Sequence, residues 1–208
     1  MATLIGDLVH SRRSADRAGL HARLTEALAI ANAGEGMISP LRITVGDEYQ
    51  GTFASLPDAV RAAWRLRVRM LPECDVRQGL GWGEVRVLQE DPPVEDGPGW
   101  WVARDAVHVV ELAQERPATA WRRTAYRRVE DAAGPDPRWV ESMLVLCDQA
   151  VGGLSPRSLS VLDGLLEGRT QREIAEQLGI TPSAVSQRVR ADGLGAMVAA
   201  EALMGGVA

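Results

Sequence analysis

The segment TQREIAEQLGITPSAVSQRV, residues 170–189, reads as two short helices around a tight turn. Thr170 and Glu173 have the spacing of a capping box, in which each side chain satisfies a backbone N–H of the other residue. Ile174, Ala175 and Leu178 fall on one helical face. Gly179 suits the turn, Ile180 and Val185 are placed to plug a core, and Thr181-Pro182 starts the next helix. Ser155-Pro156 opens a preceding helix that ends near Glu167-Gly168. This is the order that a helix-turn-helix needs. Its last helix, Ser183 to about Ala191, predicts a DNA-reading face of Ser183, Ser186, Gln187 and Arg188, with Arg190 in reach of phosphate. Serine, glutamine and arginine are side chains that read base edges.

Charge sets a condition on that reading. Residues 154–208 carry five arginines against six acids, whereas phosphate neutralisation supplies most non-specific DNA affinity. The bland alternative is a helical bundle used for dimerisation. The most basic stretch lies upstream, where Arg116, Arg122, Arg123, Arg127 and Arg128 surround Trp121 and Tyr126. Arg122, Arg123, Arg127 and Arg128 are expected to supply the missing phosphate contacts, on the face that carries Ser183 and Gln187. The competing reading is a solvated strand face paired with acids. Every residue of the Lys+Arg total is arginine, and the net charge of −5 excludes a chain coated in nucleic-acid-binding charge.

The 208 residues suffice for one large domain or two small ones, and 46% hydrophobic with 25% charged residues excludes wholesale disorder. No apolar run approaches the ~20 residues of a membrane span. Met1–Asp7 has no basic n-region and holds an acid within its apolar run, so a cytoplasmic protein with no membrane partner is expected. Cys74 and Cys147 form no CxxC, and the three histidines lie in no metal-ligand spacing.

Before residue 134, strand and helix patterns alternate. Thr3–Val9 reads as a buried strand and 14–33 as a helix. Leu41–Val45 and Thr52–Ala54 read as strands joined through 46–51. Ser55-Leu56-Pro57-Asp58 starts a helix that runs to about Met70. Val76–Leu88 reads as a long strand or hairpin, Trp100–Glu115 as a third helix and Ala118–Val129 as a last strand. The order is that of a ferredoxin-like α/β sandwich over residues 1–133. A connecting helix and hinge at 134–153 follow, then an all-α helix-turn-helix domain at 154–208, for an α+β chain overall.

Two acids stand out in the first part. Asp7 ends the first strand, and Asp47 sits at a hairpin tip, so the sheet can bring them together. Paired carboxylates with open water positions suit Mg²⁺ or Mn²⁺ and phosphate oxygens. Gly46 would let a phosphate approach the backbone. Ser11 and Arg12 precede a helix N-terminus, a natural anion seat. Gly79, Gly81 and Gly83 leave one strand face bare, which marks close approach by a ligand, with Gly81 the contact, or by another backbone. Arg104 falls on the first turns of the third helix.

IGDLVHSRR, VGDEYQGTF, the glycine-rich strand, GPGWWVAR and the helix-turn-helix, in this order, resemble the SatD family of bacterial proteins over nearly the whole chain. The first half is also similar, more distantly, to class III nucleotidyl cyclases and GGDEF diguanylate cyclases, and the second to sigma-region-4 and LuxR-type units. The cyclase resemblance implies that Asp7 and Asp47 bind metal and that Gly46-Asp47-Glu48-Tyr49 matches the GGDEF hairpin, with Val45 in place of its first glycine. It implies catalytic parts for Glu48 and for Arg104, which would stabilise the transferring phosphate. Trp100 stands where cyclases have an asparagine, and no lysine exists to select a base or pair with phosphate. The expected function is therefore a DNA-binding regulator, a homodimer, whose degenerate cyclase-like domain binds a nucleotide with Mg²⁺ or mediates dimerisation. The alternatives are a metal-dependent nucleotidyl cyclase or nucleotidyltransferase, and a purely structural assembly protein.

Overall fold

A computed structural model describes the whole chain except Arg12, Arg13, Glu35, Asp91, Pro92 and residues 206–208. The first part runs β1 (Ala2–Leu8), α1 (Arg17–Ala31), β2 (Met37–Val45), β3 (Glu48–Phe53), α2 (Leu56–Met70) and β4 (Val76–Trp82). A short hairpin, β5 (Arg86–Gln89) with β6 (Val94–Asp96), leads into α3 (Pro98–Gln114) and β7 (Thr124–Arg128). Helices follow: α4 (Pro137–Gly152), α5 (Pro156–Leu166), α6 (Gln171–Leu178), α7 (Pro182–Ala191) and α8 (Leu194–Gly205). The fold is mixed α/β, and among the described residues no helix is long and apolar enough to cross a membrane.

The main sheet has the order β2-β3-β1-β4-β7; β7 is parallel to β4 and the other pairs are antiparallel. β1 is buried on both faces from Ala2 to Gly6, a stretch with no charged residue. Leu4 and Leu8 pack with Leu24, Leu28, Leu66 and Met70 of α1 and α2. Ile5 packs with Trp100, Ala103 and Val107 of α3 on the opposite face. Helix starts follow the sequence signals: the Asp16 carboxylate accepts from Gly19 N at 2.7 Å, and Ser55 Oγ accepts from Asp58 N at 3.2 Å.

The glycine face of β4 is covered by protein. A Cβ at Gly79 would stand 2.3 Å from the Ala103 carbonyl oxygen, and one at Gly81 2.3 Å from that of Gly99. Thr3 Oγ1 also donates to Gly99 O, at 2.8 Å, fixing the start of α3 against the sheet. The bare strand face is thus the seat of a helix backbone, and the nucleotide contact expected at Gly81 is corrected to a packing role.

The hairpin is tighter than the sequence suggested. β3 begins at Glu48, Val45 pairs with Glu48, and Gly46-Asp47 alone makes the turn, with Gly46 at φ +65°. The "connecting helix" is also corrected. Leu144 of α4 is buried in the main core with Leu80 and Tyr126. Asp148 of α4 accepts from the Arg123 and Thr124 amides, both at 2.7 Å, and from Arg67 Nη1 at 3.0 Å. Nor do the last helices stand apart: their core of Leu159, Leu162, Ile174, Val185 and Leu194 includes Trp64 and Val68 of α2. Glu201 of α8 accepts from Arg61 Nε at 2.9 Å and Arg65 Nε at 2.7 Å, both on α2.

Candidate functional site

Two groups of polar residues flank the tip of the β2–β3 hairpin. On the α3 side, Asp7 meets Arg77, its register partner on β4. Asp7 Oδ2 accepts from Arg77 Nε at 3.1 Å and Nη2 at 3.0 Å, and Arg77 also pairs with Glu111 of α3 at 3.3 Å. Asp7 Oδ1 is buried, 3.0 Å from Arg77 Nη2, and among the described residues no donor is aligned to hydrogen-bond it. Burial pushes the Asp7 carboxyl above its usual range; Arg77 opposes this, and the charges of Asp47 and Glu111 add to it. Beside this group, Arg104 grips Glu48 with two bonds, Nη1 to Oε2 at 2.6 Å and Nη2 to Oε1 at 3.0 Å. The Arg104 hydrogen bond holds the Glu48 carboxyl below its usual range.

On the α1 side, Ser11, Gly46 and Asp47 line one cavity of about 220 Å³ with Leu8, Arg17 and His21. Its position beside the first turn of α1 suits an anion. Gly46 faces open space, as a close backbone approach would need. Arg12 lies outside the described residues. The sheet thus brings Ser11, Gly46 and Asp47 together, and Glu48 with Arg104, but Asp7 belongs to the Arg77 pair.

Arg77, Arg17 and His21 were missed in the sequence. Arg77 alone had a usable signal: an antiparallel pairing of β1 with β4 sets it opposite Asp7. Its presence bears on the metal. A divalent cation on Asp7 would compete with the Arg77 guanidinium, and one on Glu48 with that of Arg104. Among the described residues no three acidic, histidine or cysteine side chains gather as a metal-holding group. Arg77 is the competitor that a Mg²⁺ or Mn²⁺ ion at Asp7 and Asp47 would have to displace.

In the last helices, Thr170 and Glu173 form the capping box, with Thr170 N donating to Glu173 Oε2 at 2.7 Å. Gly179 ends α6 in the left-handed conformation, at φ +62°. Val185 of α7 is fully buried, which turns Ser183, Gln187 and Arg190 to solvent. Ser186 is half-buried. Arg188 leans back, its Nη1 3.3 Å from Ser158 Oγ on α5, and Ser158 Oγ in turn donates to Asp192 at 2.6 Å.

The upstream arginines are occupied. Arg122 pairs with Glu141 of α4, and Arg123 with Asp75 at 2.7 Å. Arg127 lies 3.8 Å from Glu141, and Arg128 Nη1 donates to Gly134 O at 2.7 Å. The phosphate-contact expectation is corrected for Arg122 and Arg123, whose charge is spent on fastening β7 to α4 and α2 to the sheet. Arg127 and Arg128 also have partners within the protein.

The SatD family model matches residues 1–202. No curated protein and no solved structure matches the chain.

Proposed function

The chain belongs to the SatD family, and we propose that it is a DNA-binding regulatory protein, active as a homodimer, whose sheet body is a ligand-binding or dimerisation unit. The observation that carries this reading is the α6–turn–α7 unit. Its turn is fixed by Gly179, its first helix by a capping box, and its second presents Ser183, Gln187 and Arg190 to solvent around a single buried anchor, Val185. That arrangement supports a helix-turn-helix reading, with α7 as the recognition helix. The strand order β2-β3-β1-β4, with helices between β1 and β2 and between β3 and β4, supports a ferredoxin-like reading of the sheet. A nucleotide phosphate would enter beside Ser11 and Gly46. A metal-dependent nucleotidyl transfer has less support, because Asp7 and Glu48 are each held by an arginine.

The test is selection of bound duplexes from a random library by the full chain, followed by affinity measurements on an enriched site. Gln187→Ala should cost about 1–3 kcal/mol there and relax specificity, with little change in salt dependence. A library that yields no enriched site, or a Gln187→Ala protein with unaltered affinity, would assign the helices to protein assembly instead.

A further inference from the structure

α4 has an outer face that the other described residues leave open. Trp139 is 78% exposed and Leu146 71%. Seven residues, two helical turns, separate them, so they stand in one line along the helix. Ser142 and Gln149, both exposed, run beside that line. Apolar side chains exposed singly need no explanation. A tryptophan and a leucine in line form a continuous strip, and tryptophan is enriched at the energetic centres of interfaces.

The charges of α4 are turned away from the strip. The helix carries Arg138, Glu141 and Asp148. Glu141 pairs with Arg122 and accepts from the Tyr126 amide, and Asp148 accepts from the Arg123 and Thr124 amides. Both acids are thus spent on closing the outer edge of β7. Arg138 lies 2.8 Å from Asp136 at the start of its own helix. The Ser142 hydroxyl donates to the Arg138 carbonyl oxygen at 2.7 Å, so burying it leaves no orphaned donor. The strip is therefore uncharged, in a chain whose residues are 25% charged. A two-fold axis sets a face against itself. A charged face then meets its own sign, whereas an uncharged apolar strip is matched to its own copy.

We infer that α4 pairs antiparallel with α4 of a second copy of this chain, with Trp139 packed on Leu146 of the partner subunit and the reverse, about a two-fold axis between positions 142 and 143. This names the contact of the homodimer proposed above and rests on that reading. Trp139 offers roughly 200 Å² in each copy. With Leu146, Ser142 and Gln149 the pair buries about the 1,000 Å² at which specific interfaces begin. A contact of that size gives a dimer that dissociates at about micromolar concentration. The α5–α7 helices issue from the C-terminal ends of α4. In the antiparallel pair those ends lie roughly 30 Å apart, which suits half-sites about one turn of DNA apart.

Sedimentation equilibrium of the full chain between about 1 and about 100 μM tests the pairing. The 22.4 kDa chain should pass from monomer to dimer across that range. Leu146→Glu and Trp139→Arg should each weaken the dimer about a hundredfold, the effect of an unpaired charge at the contact. Circular dichroism should stay unchanged, because both side chains are exposed. The two variants mixed in equal amounts should recover the dimer. One contact of the mixed pair joins opposite charges, and the other keeps the native packing of Trp139 on Leu146 of the partner subunit. Local unfolding of either variant would give no such recovery. A wild-type chain that stays monomeric overturns the inference together with the homodimer reading. A wild-type dimer that persists in either variant, or a mixture that stays monomeric, overturns the inference alone and assigns the homodimer to another face.

Discussion

At the scale of single residues, the buried charges decide what the protein tolerates. Arg67 is 2% exposed and bridges Asp75, at 2.8 Å from Nε, to Asp148, at 3.0 Å from Nη1. Arg67→Met would leave the buried Asp148 charge with the Arg123 and Thr124 amides and the Thr124 hydroxyl as its donors, and no cation in contact. We expect a loss of about 3–5 kcal/mol by urea denaturation, because a buried pair broken on one side strands its partner. Asp7 behaves differently. Its folded carboxyl titrates above the unfolded one, chiefly through burial. The native state therefore binds that proton more readily. The resulting stability is complete below the unfolded carboxyl range and is lost as pH rises through the raised folded value. Asp7→Asn removes this dependence. As pH rises from about 4 through the raised folded value, the wild type should lose stability relative to Asp7→Asn. Parallel curves for the two proteins would show that Arg77 fully offsets the burial.

At the scale of elements, close backbone approach governs the sheet. Gly81→Ala sets a methyl 2.3 Å from the Gly99 carbonyl oxygen, against a helix start that Thr3 holds in place. Neither neighbour is the free end of a flexible side chain. A cost of about 1–3 kcal/mol follows from overpacking, to be read as a lowered urea midpoint. A thermally unchanged Gly81→Ala protein would mean that α3 slides freely on β4. The alternation of Gly79 and Gly81 was legible as a bare strand face, but what covers it was not, because α3 arrives across a loop and a second hairpin. The helix starts were legible because Asp16, Ser55 and Thr170 act on amides three residues away. The β2–β3 turn was placed but drawn too long, since a positive φ at Gly46 shows only in the backbone. The arginines near β7 were legible as charge and not as pairs. Asp75 and Glu141, their partners, are distant in sequence, and charge counts carry no register. The same distance hid Arg77 behind Asp7.

At the scale of the whole molecule, α2 belongs to two cores. Its Leu66 and Met70 serve the sheet, its Trp64 and Val68 the terminal helices. Glu201, 4% exposed, ties α8 to the same helix through Arg61 and Arg65. Glu201→Gln should therefore destabilise the entire chain, by about 1 kcal/mol, because the arginines it leaves behind, Arg61 and Arg65, keep access to water. Unfolding should remain one transition, with tryptophan fluorescence and far-ultraviolet circular dichroism superimposing. Two separated transitions in the wild type would show that the halves melt independently. The shared helix also bears on inheritance. A terminal unit that could be exchanged between chains would need a core of its own. A recombination crossover near residue 153 would deliver α5–α8 without the Trp64 face that completes theirs, and would leave that face bare on the donor. A smaller residue at Trp64 would open a void that only residues nearly a hundred positions downstream, such as Leu159 and Leu162, could refill.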